Sequence, residues 1–161
     1  MTPQEFFAGP YAALAGSIEA GTGISALVLT AQASDESANG TSRLAVEDHN
    51  YSGVTYVGQE GAEDAGGFAK YADDTAYVRD MIRILSLTLY QAVREAVGVR
   101  EQVYALAASP WAGSHYGGGQ NLIGILQSVE KWPAPGAAVD QAAVDAVKAA
   151  AQGLTEAVAA L

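Results

Sequence analysis

Asp35 and Glu36 stand side by side where an apolar segment of the chain gives way to a turn containing Asn39 and Gly40. If that segment is a buried helix, both carboxylates lie in its last turn and face the negative end of the helix dipole. Partial burial adds a second penalty on the ionised form, so an acid in such a place is favoured to keep its proton. A carboxylic acid that stays protonated near neutral pH suits general acid catalysis, in which it protonates a leaving group such as a glycosidic oxygen. Residues i and i+1 point to different sides of a helix, so the two acids are not a natural dyad, and one should act while the other is solvated or structural. An ordinary polar helix end would also put two acids here, because a perturbed carboxylate is only a probabilistic marker of function.

Other side chains with chemical potential are few. Trp111 and Tyr116 share one loop, PWAGSHYGGG, and aromatic faces with a polar tip suit stacking on sugar rings while the tip hydrogen-bonds hydroxyls. A core-plugging role fits Trp111 equally well. His49 and His115 are the only histidines, and neither stands at a metal-ligand spacing, so no metal and no cofactor is expected. Cysteine is absent, which excludes disulfides, thiolate catalysis and cysteine-ligated zinc. The 18 acidic against 8 basic residues give a formal charge of -10, and no Lys/Arg cluster could neutralise successive phosphates, so nucleic acid is not an expected partner.

The elements that must position these groups follow from pattern. With 161 residues, half of them hydrophobic, the chain suffices for one sizeable core and an appendage. Thr2, Pro3 and Glu5 predict a helix start, with a first helix over residues 3 to 18. The segment ISALVLTAQASDES is apolar around nearly its whole circumference and predicts a central buried helix, ended just past Glu36 by Asn39 and Gly40. YSGVTYV and GFAKY read as short strands separated by the acidic, Gly-rich GQEGAEDAGG as a mobile tip. Asp73 or Asp74 caps a long helix to about Val97 with a stripe of Val78, Ile82, Leu85, Leu89, Val93 and Ala96. EQVYALAAS and QNLIGILQSVEKW add two more helices, and Trp132 is placed to seal the end of the domain.

After WPAPGAA the composition turns to Ala, Val, Asp and Gln. Val144, Val147, Ala151, Leu154, Val158 and Leu161 form the seam of a short coiled coil. Such a helix is expected to dock on its own domain or to pair with other chains. The amino terminus lacks a basic n-region, and no apolar run reaches the ~20 residues of a bilayer span, so neither a secretory signal nor membrane insertion is expected.

The run GISALVLTAQASDESANGTSRLAVEDHNYSGVTY resembles the start of the bacterial and phage glucosaminidase family, peptidoglycan hydrolases similar to the flagellar muramidase domain. Ala31, Gln32, Ala33, Glu36, Ser37, Gly40 and Ser42 occupy motif positions, while the motif's Gly-Trp has become Ala38 and Asn39. Asn50 and Gly53 match a second segment, and SPWAGSHYGGGQNLIGIL is similar to the segment carrying the family's active-site tyrosine. The similarity covers roughly residues 3 to 130.

The resemblance implies a mainly α (α+β) fold, a lysozyme-like helical domain with a small β-lobe over residues 1–132, with the linker and separate C-terminal helix occupying 133–161. It implies Glu36 as general acid, Tyr116 as the tyrosine that positions sugar or stabilises charge, and Asn50, Trp111 and Gln32 around the substrate. A second carboxylate, where one is used, falls on Glu60 or Glu63, with Glu60 preferred by position. Without one, the substrate's own acetamido group can assist. The implied substrate is the glycan strand of peptidoglycan, cut at β-1,4 bonds. A phage lysin or virion tail component, acting from a virion or released from host cytoplasm, fits the size and the C-terminal helix, which would provide self-association or tail-protein contacts. A catalytically degenerate tail-tip protein on the same fold, and a lytic transglycosylase, are the alternatives.

Overall fold

A computed structural model describes residues 1–111 and 115–132. The linker and C-terminal helix expected over 133–161 lie outside the described residues. Eight α-helices are described, α1 Pro3–Phe7, α2 Tyr11–Thr22, α3 Ala26–Glu36, α4 Arg43–Asp48, α5 Asp74–Leu85, α6 Gln91–Glu95, α7 Val99–Ala107 and α8 Gln120–Ser128. Strands β1 Ala62–Ala65 and β2 Phe68–Tyr71 pair antiparallel, with Ala62 opposite Tyr71 and Ala65 opposite Phe68. The architecture is mainly α with a small β part, as expected.

The centre is α3. Ser25 caps it through a side-chain bond to the Leu27 amide, and every residue from Val28 to Ser34 is buried. Helices α1, α2, α7 and α8 all pack on it, so its circumference is apolar because it has no wet face. The carboxyl end of this buried rod emerges at Glu36, and its direction is what fixes the acid.

Two expected helices are each broken. The first helix ends at Phe7 and restarts at Tyr11, because Pro10 has no amide to donate and the Ala8 and Gly9 amides close the first helix on the Gln4 and Phe6 carbonyls. The capping box of Thr2 and Glu5 forms as expected. The long helix from Asp73 stops at Leu85, and a 3-10 turn, Thr88–Tyr90, precedes α6. Arg94 reaches back from α6 to donate to the Leu85 and Leu87 carbonyls, so the unpaired end of α5 is satisfied by a cation rather than by continued helix.

The lobe also differs from expectation. β1 lies inside the stretch read as a mobile tip, whereas YSGVTYV forms no strand and contributes a bridge between Thr55 and Phe68, with bonds from the Tyr56 amide to the Gly67 carbonyl and from the Ala69 amide to the Val54 carbonyl. Buried Asp80 on α5 anchors the lobe by accepting from the Tyr71 hydroxyl at 2.8 Å, Gln59 Nε2 at 3.3 Å and Arg83 Nε at 2.6 Å. Helix α4, which the pattern did not suggest, is capped by Ser42 and tied to β2 through buried Asp48, with Arg43 at 2.8 Å and Lys70 at 3.8 Å.

The turn after α3 is left-handed at three successive residues, Ala38 (φ 51), Asn39 (φ 57) and Gly40 (φ 74). Gly40 is required there, since a Cβ would lie 2.8 Å from the Phe6 ring. Ala38 is exposed and has no such excuse for its conformation, which costs an L-residue about 1–2 kcal/mol. Ala38→Gly should therefore stabilise the fold by about 0.5–1 kcal/mol, the relief being partly offset by the greater freedom of glycine in the unfolded chain. A urea midpoint that falls instead of rising would show that Ala38 is unstrained.

Candidate active site

Glu36, Ser52, Gly53, Val54, Thr55, Val57, Arg83, Ile84, Leu87, Trp111 and His115 line an open cavity of about 510 Å³ between the helical body and the lobe. Among these lining residues Glu36 is the one carboxylic acid. One wall comes from the loop after α4, a second from the end of α5, and the third from the loop that carries Trp111 and His115.

Each wall has a local reason for its shape. Asn50 is 1 % exposed and spends its whole amide on backbone: Nδ2 donates to the Val54 and Ala69 carbonyls at 2.9 and 2.8 Å, and Oδ1 accepts from the Val54 amide at 2.9 Å. The loop 50–54 is thereby folded back against β2. Ser52 shares a 2.8 Å hydroxyl contact with Tyr77, which itself lies 3.1 Å from the Tyr11 hydroxyl in a cluster of tyrosine rings. Gly53 sits at φ 60 with its missing Cβ 3.7 Å from Glu36 Oε2, so the backbone turns tightly beside the acid.

Tyr116 meets Glu36 across 80 positions of sequence, its hydroxyl donating to Oε1 at 2.6 Å. The phenol is almost fully buried, and desolvation, followed by the neighbouring carboxylate, pushes its pKa well above the ordinary tyrosine value. It therefore keeps its proton near neutral pH and donates a hydrogen bond to the carboxyl oxygen. Trp111 packs against Tyr90 with ring centroids 6.0 Å apart while still contributing to the cavity wall, so its ring is both packed and presented to the cavity.

The structure brings Glu36, Tyr116, Trp111 and the Asn50 loop together, and leaves Glu60, Glu63 and Gln32 apart from the cavity. Glu60 is 89 % exposed, 3.9 Å from Arg79, and Glu63 on β1 faces a different cavity with His49 and Lys70. The Gly-rich turn carries Glu60 outward, away from the wall that Thr55 and Val57 form. Gln32 is fully buried behind the wall, one helical turn before Glu36, with neither amide atom in a well-formed hydrogen bond. Its amide lies beside the Tyr116 oxygen and works against the rise in the phenol's pKa, so it stands behind the tyrosine and not at the cavity surface. Asp35 turns to a different side of the helix end from Glu36, its Oδ2 3.4 Å from Nε2 of His115, a residue that carried no motif signal and takes a place in the cavity wall. Trp132 is partly buried, edge-on to Tyr104, with the Arg100 guanidinium 4.9 Å from its ring, closing the end of the helical body as expected.

An acid at the end of a buried helix, bonded to a phenol and bordering a cleft with an aromatic wall, is the kind of arrangement that general acid chemistry on a glycosidic bond requires. The family model for glucosaminidase, described as mannosyl-glycoprotein endo-beta-N-acetylglucosaminidase, matches residues 12–131, and the chain belongs to that family. Comparison with curated proteins and with solved structures finds no match. Peptidoglycan fits the family as substrate.

Proposed function

We propose that this chain hydrolyses β-1,4 glycosidic bonds in the glycan strands of bacterial peptidoglycan as an endo-β-N-acetylglucosaminidase. Glu36 donates the proton to the leaving oxygen, and Tyr116 holds that carboxyl in its working rotamer. The single observation that carries the reading is the 2.6 Å bond between them at the cavity wall. Trp111 presents an aromatic face to the glycan, and Asn50 acts indirectly by holding Gly53 and Val54 against the acid.

The same geometry weighs against a degenerate structural protein. Ala38 and Asn39 replace the motif's Gly-Trp, yet the left-handed turn that Gly would adopt is retained, and the acid keeps its phenol. Carriage on a phage tail, with the C-terminal segment supplying contacts, remains part of this proposal and rests on the sequence of residues 133–161 alone.

The deciding experiment is turbidity loss of purified cell walls with wild type and Glu36→Gln, with mass spectrometry of the reducing ends to identify the bond. Anhydro ends would replace hydrolysis by transglycosylation. In the same assay on a soluble muropeptide, Tyr116→Phe should lower turnover about tenfold, because the lost charge-assisted bond is worth about 1.5–3 kcal/mol and only part of it is realised in the transition state. Trp111→Phe should act mainly on KM. Equal small effects from both would mean that the loop serves packing or binding only.

A further inference from the structure

The cavity holds a second group able to exchange a proton. His115 lines it beside Glu36, with its ring edge-on to that of Tyr116 at a centroid distance of 5.3 Å. Its Nε2 lies 3.4 Å from Asp35 Oδ2, an oxygen that is fully buried and lacks a well-directed hydrogen bond. Successive residues of a helix point about 100° apart, so Asp35 can turn to this loop while Glu36 turns to the cleft. A buried carboxylate oxygen without a partner is costly, which makes the approach of an imidazole N–H the arrangement's natural completion. Neither Glu60 nor Glu63 contributes to the same wall.

The geometry points to His115 as the proton acceptor of the reaction and to Asp35 as the positioning residue that orients its ring. The inference rests on the reading of Glu36 as general acid. Asp35 holds Nε2 in its protonated tautomer and leaves the Nδ1 lone pair for water, the division of labour of an Asp-His pair in general base catalysis. In the step itself the bond from the anomeric carbon to the leaving oxygen breaks, and that oxygen takes the Glu36 proton. The water oxygen bonds to the anomeric carbon and its proton passes to His115 Nδ1. Return of a proton from His115 to Glu36 through solvent closes the cycle. The charged and titratable groups facing this imidazole are Asp35 and Glu36 from α3, Arg83 from α5 and Tyr116 from its own segment, and Arg83 is already bonded to Asp80. Contacts of this length commonly tighten only when substrate closes the site.

The test is steady-state kinetics of the full chain on a soluble muropeptide across pH, for wild type, His115→Gln, Asp35→Asn and Glu36→Gln, with a thermal unfolding curve for each. His115→Gln should lower kcat about 10²-fold, abolish the limb on which kcat/KM rises with pH, and recover part of its activity with added imidazole. Asp35→Asn should lower kcat about tenfold, leave KM nearly unchanged, and keep that limb in displaced form. Retention of the rising limb in His115→Gln overturns the inference, and so does a loss that appears in KM alone, which would make the pair a loop clamp. Glu36→Gln reads the underlying assignment separately, since activity there would remove the general acid whatever His115 does.

Discussion

Glu36→Gln should abolish wall hydrolysis by at least about 10²-fold, the ordinary contribution of a positioned general acid, while leaving the unfolding curve nearly where it was. The substitution is close to isosteric, and the amide oxygen can still accept from the Tyr116 hydroxyl, so the walls of the cavity stay as they are. What vanishes is the proton. The expected pair of results, lost turbidity clearance and an unchanged thermal midpoint, separates chemistry from folding. Clearance at the wild-type rate would remove Glu36 from the mechanism.

The second large effect is on stability. Asn50→Ala leaves the buried Val54 amide and the Ala69 carbonyl without their side-chain partner and removes a second donor from the Val54 carbonyl. A stranded buried polar group costs about 1–3 kcal/mol, so a loss of about 3 kcal/mol is expected, a large share of the 5–15 kcal/mol typical of a domain. At about 3 °C per kcal/mol for a chain of this size, the thermal midpoint should fall by roughly 10 °C. Activity below that temperature should also drop, because Gly53 is held beside Glu36 by this same amide. A midpoint lowered by only a degree or two would mean that water replaces the asparagine without penalty.

What could be read in advance was whatever local chemistry settles. Thr2 with Glu5, and Asp73 with the Ala76 amide, are caps whose partners lie within three residues, and they form as the sequence suggests. The buried helix ending at Glu36 announced itself by apolarity on every face. The break after Leu85 could not be read so, because it depends on Arg94 returning across nine residues to the Leu85 carbonyl. Nor could β1: Ala62–Ala65 has no β-prone residue, and it is a strand because Phe68–Tyr71 offers it a partner, a case of pairing overriding propensity.

The site divides along the same line. Glu36 and Tyr116 followed from motif resemblance, and the structure brings them together. Glu60 was chosen by position in the lobe, and a turn of glycines at Gly58 and Gly61, both at positive φ, directs the chain elsewhere. The pairing of Asp35 with His115 was invisible: Asp35 stood out only as the neighbour of Glu36, His115 had no signal of its own, and their meeting depends on a segment docking 80 positions downstream.

The cleft draws its walls from around residues 36, 53, 84 and 111, which the chain visits only over about half of its length. No short fragment of the protein contains it. Contacts so distant in sequence are slow to form, since the intervening loop must be closed before the contact rewards the closure, so the helices near the amino terminus can exist well before Tyr116 reaches Glu36. Material that has regained its helices without that last docking would look folded by circular dichroism and cut nothing. For this chain the gauge of correct refolding is therefore turnover, because turnover reports the closure that brings Tyr116 to Glu36.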